Sequence, residues 1–166
     1  VGKTPIRVSE CPGFLVNRVL VRALAAAYRE ASTRGVAVAD ADAAVVESGP
    51  APMGPFALGD LIGLDTLEHI RRDLDGAYDG RFDDGGVLAP LVAEGRLGRK
   101  SGGGLVPPDA SAGDPEAGRE VADAYYAAAR DEAGRCVADG VATESDVDLA
   151  LRLGAGWRTG PLEAAT

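Results

Sequence analysis

The chain has 166 residues, 46% hydrophobic but only 5% aromatic, with a formal net charge of −9. Such an acidic chain lacks the basic face that nucleic-acid phosphates require, and it disfavours an anionic membrane surface. Its size allows one domain or two small ones, and Ala, Val and Leu side chains favour close helix-on-helix packing over a sandwich of bulky strands.

Val1, rather than Met, opens the chain, so it reads as a piece of something longer, with part of its function in residues outside it. Thr4-Pro5-Ile6-Arg7-Val8 reads as an incoming linker or an edge strand. The spacing predicts a first long helix from about Pro12, a good first-turn residue, to Arg34, with Gly35 as its stop. Leu15, Val16, Val19, Leu20, Ala23, Leu24, Ala27 and Tyr28 form a double stripe at spacing four, the pattern of a helix packed along its whole length. Asn17 lies on the flank of this stripe within the first turns, and the segment is read as burying its amide. Asn is a poor interior helix former, and near the positive end of the helix dipole its amide can donate to an oxygen. A half-exposed polar residue is the plainer alternative.

A second helix is predicted over about residues 40–47, with Asp40 as N-cap. Residues 49–55 hold three prolines and two glycines and must form a loop. Helical patterns resume over 56–61 and over 65–75, where Leu67, Ile70 and Leu74 share a face, and a shorter helix falls near 88–94. The Gly-rich run 98–104 reads as a flexible connector and 107–118 as a linker. An Ala-rich helix over about 116–139, stopped by Gly140, precedes a short helix near 145–153.

The second half repeats landmarks of the first. Gly35-Val36-Ala37 recurs as Gly140-Val141-Ala142, Asp40 and Asp42 as Asp146 and Asp148, and Gly54-Pro55-Phe56 as Gly160-Pro161-Leu162. The offset is 105 residues and then 106, so one insertion aligns them. Two copies of one helical unit can pack about a pseudo-two-fold axis as two chains would. The position matching Asn17 is Ala122, so the second unit lacks the amide.

Other candidate sites are weaker. In Gly98-Arg99-Lys100-Ser101 an Arg separates Gly from Lys and a helix precedes, which excludes a phosphate-binding P-loop. Gly102-Gly103-Gly104 has no strand leading in, as a dinucleotide site would need. His69, the only histidine, lies off the apolar face beside Glu68, Arg71 and Arg72, a solvated position. The four repeated aspartates suit helix starts better than a metal. Cys11 and Cys136 read as reduced thiols in a cytoplasmic protein. Arg96, Arg99 and Lys100 form the one local basic cluster; a solvated loop is the default, and contact with a phosphate or carboxylate the sharper alternative.

Taken together, Pro12-Gly13-Phe14-Leu15-Val16-Asn17-Arg18, then Pro52-Met53-Gly54-Pro55-Phe56 with Asp60 and Gly63-Leu64-Asp65, then Leu97-Gly98-Arg99-Lys100-Ser101-Gly102, resemble the C-terminal domain of NAD-dependent 3-hydroxyacyl-CoA dehydrogenases. The resemblance implies an all-α helical bundle with one long helix per repeat. Residues 1–106 would be the first copy, 107–116 a linker, and 117–166 a truncated second copy, as in longer bacterial members and multifunctional fatty-acid oxidation proteins. It further implies an upstream Rossmann domain that binds NAD and carries a catalytic His–Glu pair. Asn17 would reach the reacting centre from the helical side, and the domain would supply a homodimer or intrachain pseudo-dimer interface; within the basic cluster, Arg99 and Lys100 are the candidate contacts to the acyl-CoA substrate. This fragment alone would bind no cofactor. Two departures stand out. Leu105-Val106 replaces the usual aromatic pair, so the domain edge is expected to fray. Ala26-Ala27 replaces a Glu-Ala pair that the second copy keeps as Glu132-Ala133. A stand-alone helical interaction module without catalysis is the competing reading.

Overall fold

The computed structural model describes residues 4–111 and 113–163, and all regular secondary structure within them is helical. In chain order the helices are α1 (Val16–Arg34), α2 (Val38–Ser48), α3 (Pro55–Ile62), α4 (Leu64–Ala77), α5 (Leu88–Ala93), α6 (Arg119–Ala138) and α7 (Glu144–Ala155), with a 3₁₀ turn at Arg99–Ser101.

α1 is the axis of the bundle. It packs most extensively against α6 and also touches α3, α4 and α7. Its run Ala23–Tyr28 is buried without a break, so this helix has core on every side rather than one apolar stripe. It starts at Val16, four residues later than predicted. Gly13 (φ 75°) and Phe14 (φ 50°) both take left-handed backbone, which a right-handed helix cannot include. A Cβ at Gly13 would stand 2.5 Å from Leu74 Cδ2, so the turn also needs glycine to settle on α4. Leu67 and Leu74 are buried there and Ile70 packs beside them, as their shared face predicted.

Of the aspartates expected at helix starts, Asp42 caps one, while Asp40 and Asp148 hold segments outside the helices. Asp40 is not the N-cap of α2; that position is Ala37. Asp40 Oδ1 instead accepts the Asp114 amide at 2.7 Å, fastening the segment between α5 and α6. Asp42 reaches from α2 to accept the amides of Phe56 (2.8 Å) and Ala57 (3.0 Å), capping α3, whose Pro55 needs no partner at the first position. Burial pushes the Asp42 carboxyl up to about 6, against the pull of those two amides. Thr143 caps α7 by accepting the Asp146 amide, and Asp148 accepts the Leu162 amide at 2.8 Å. Asp42 and Asp148 thus each bind an amide 14 residues further on.

The Gly-rich run is a fastened hairpin, neither flexible nor frayed. Gly98 donates to Gly103 O at 2.9 Å, and the buried Asp60 carboxylate accepts the Leu105 and Val106 amides at 2.8 and 3.0 Å. A Cβ at Gly104 would lie 2.1 Å from Asp60 Oδ1, so only glycine lets the loop close on the carboxylate. Asp60→Ala strands two amides beneath the loop and is expected to lower unfolding free energy by about 2–3 kcal/mol, measured by urea denaturation. A loss below 0.5 kcal/mol would contradict this account. Among the described residues no helix is long and apolar enough to cross a membrane.

Candidate functional site

Asn17 is the second residue of α1, and its side chain is exposed, which corrects the expectation of a buried amide. It lines a cavity of about 640 Å³ together with Ile6, Val8, Phe14, Val16 and Leu153. The left-handed turn at Gly13 and Phe14 leaves the phenyl ring 61% exposed on this cavity, and Leu153 on α7 is 58% exposed beside it. The segment before α1 is extended but joins no sheet; its Ser9 N–H donates to Val141 O at 2.8 Å and its hydroxyl to Gly140 O at 3.0 Å. That anchor carries Ile6 and Val8 to the cavity wall. The result is a largely apolar cavity, of the size of a small-ligand site, with an amide that can donate and accept but cannot titrate.

Directly behind it, Arg18 is 1% exposed. Its Nε donates to Glu132 Oε1 on α6, itself fully buried, and its second terminal nitrogen to Asp139 Oδ2, both at 2.6 Å. The guanidinium lies 4.3 Å from the Tyr78 ring centroid, and Arg81 lies 4.8 Å from the same ring. Arg81 Nε stands 3.3 Å from Glu132 Oε2, at ion-pair distance but without hydrogen-bond alignment. Burial works against the Arg18 charge, and the hydrogen bonds to Asp139 and Glu132 outweigh it, so its pKa sits above the ordinary arginine value. Burial also pushes the neighbouring Cys136 thiol up to about 12, which keeps it protonated and unreactive. The sequence held a signal for this network. A helix buried on every side can carry Arg18 only if a partner meets it.

Lys100 Nζ is held by Asp65 Oδ1 at 2.5 Å, and that hydrogen bond draws the carboxyl below its usual range. Arg99 is exposed on a second pocket lined by Asp60, Gly98 and Pro107. The two pockets share no lining residue, so the fold does not bring Arg99 to Asn17. His69 is 80% exposed with Asp73 at 3.5 Å, the solvated position expected of it.

The sequence model of the family described as "3-hydroxyacyl-CoA dehydrogenase, C-terminal domain" matches residues 13–107 and 121–166. A probable 3-hydroxyacyl-CoA dehydrogenase of Caenorhabditis elegans is 39% identical over 107 residues, 63% of this chain and 36% of that protein. The fatty acid oxidation complex subunit alpha of Idiomarina loihiensis is 38% identical over 107 residues, 63% of this chain and 15% of that one. The chain therefore spans about a third or less of these curated relatives. Among solved structures, 3-hydroxybutyryl-CoA dehydrogenase from Escherichia coli K12 matches 97% of this chain and 54% of its own, with a TM-score of 0.79 at 24% identity, a likeness of fold.

Proposed function

Because this chain belongs to the family of 3-hydroxyacyl-CoA dehydrogenase C-terminal domains, we propose that it closes the acyl-binding cleft of such an enzyme and brings Asn17 to the reacting centre. The enzyme would oxidise 3-hydroxyacyl-CoA to 3-oxoacyl-CoA. The observation that carries this reading is the exposed Asn17 amide on the wall of a largely apolar cavity. A side-chain amide there suits an oxygen that gains negative charge during oxidation of a hydroxyl.

We read the described residues as offering no site for NAD. Among the described residues there is no strand leading into a glycine turn, and the one Gly-rich run is closed on Asp60. We assign cofactor binding and proton transfer to an upstream Rossmann domain. The isolated chain is accordingly expected to show no NAD binding by calorimetry and no acetoacetyl-CoA reduction; turnover above a denatured control would overturn the assignment.

We also read residues 117–166 as a partial second copy that takes the place of a partner subunit. Three observations support this: the matched 14-residue reach of Asp42 and Asp148, the two segments that fit one family model, and the packing of α6 on α1 within one chain. The Arg18–Glu132 bridge fits the same reading. At the 105-residue offset Arg18 corresponds to Asp123 and Glu132 to Ala27, so each unit supplies one half of this buried bridge.

A further inference from the structure

Beside the extended segment that carries Ile6 and Val8, the cavity that bears Asn17 has two walls from distant parts of the chain. One is the turn and first residues of α1, and the other is the end of α7, where Ala150, Leu153 and Gly154 line it. Gly154 lets the two come together. A Cβ there would lie 3.0 Å from Val16 Cγ2, so even alanine would crowd the Val16 side chain. Leu153 is the large side chain on the α7 wall, and it is left more than half exposed with Phe14 across the same cavity. Two large apolar side chains kept in water around one cavity mark a surface meant to be covered. The lining carries no charged side chain, and its side-chain polar groups are the Thr4 hydroxyl and the Asn17 amide. A ligand with one polar reacting end and an apolar tail fits such a distribution.

Resting on the dehydrogenase reading above, we propose that α7 of the second unit forms the acyl-tail wall of the site and that Leu153 sets acyl-chain length. The second unit then has a role beyond packing. It lacks the amide, with Ala122 in place of Asn17, yet it supplies the far wall of the cavity that the amide serves.

The test uses the complete dehydrogenase and compares kcat/KM for 3-hydroxybutyryl-CoA and 3-hydroxyhexadecanoyl-CoA. Leu153→Trp fills the wall and is expected to lower the long-to-short ratio roughly tenfold or more, the scale on which an apolar pocket discriminates by a few methylenes. Leu153→Ala removes only partly exposed atoms, folds readily, and is expected to raise that ratio several-fold. An unchanged ratio in Leu153→Ala overturns the proposal, as does an equal loss on both substrates in Leu153→Trp. In either case, wild-type turnover together with its loss in Asn17→Ala leaves the dehydrogenase reading standing. Wild-type enzyme that oxidises neither substrate removes that reading and this inference together.

Discussion

Replacing Asn17 by alanine in the complete dehydrogenase is expected to lower kcat by about tenfold to a thousandfold, the cost of one polar contact made to charge that develops in the transition state. The side chain is exposed in this chain, so its truncation opens no cavity in the core. Stability should accordingly stay within about 0.5 kcal/mol of wild type. That separation makes the test sharp. A fall in kcat with an unchanged melting temperature assigns the amide to the reacting centre, and an unchanged kcat removes Asn17 from the site. A loss confined to KM would show that the amide binds ground state and transition state equally.

The second large effect concerns stability. Glu132→Ala should lower the unfolding free energy of this chain by about 3–5 kcal/mol, because it removes a fully buried carboxylate from an equally buried Arg18. Asp139 remains as a partner, but at 53% side-chain exposure it is screened by water and cannot replace Glu132. The Arg81 ion pair to Glu132 is lost in the same step. Chemical denaturation followed by circular dichroism measures the loss, and a change below 1 kcal/mol would show that the bridge does not hold α1 to α6. Replacing both partners with apolar residues, as in Arg18→Met with Glu132→Leu, should recover much of the deficit, since no unpaired charge is then buried. The same cycle measures how strongly the two units depend on the Arg18–Glu132 bridge.

Helix positions were largely legible in the amino-acid order. The glycine after α1 ends it in left-handed backbone, as Gly35 predicts, and the period of Leu67, Ile70 and Leu74 fixes the inner face of α4. The motif around Asn17 was legible as well, because it is a short local string. Three things were not. Phe14 sits at a positive φ that its own chemistry disfavours, and this places the start of α1 at Val16. Asp60 closes a loop 45 residues away, which converts an apparently flexible glycine run into a fixed hairpin. Arg18 and Glu132 meet across 114 residues.

The sequence by itself therefore determined the all-helical class, most helix ends and the identity of the motif amide, since propensity, capping and periodicity act over a few residues. Tertiary structure alone decided that Asn17 faces an apolar cavity, that α7 forms its opposite wall, and that a buried arginine lies behind it. Those outcomes depend on which distant surfaces pack together, and burial, desolvation and partner geometry come into being only when they do.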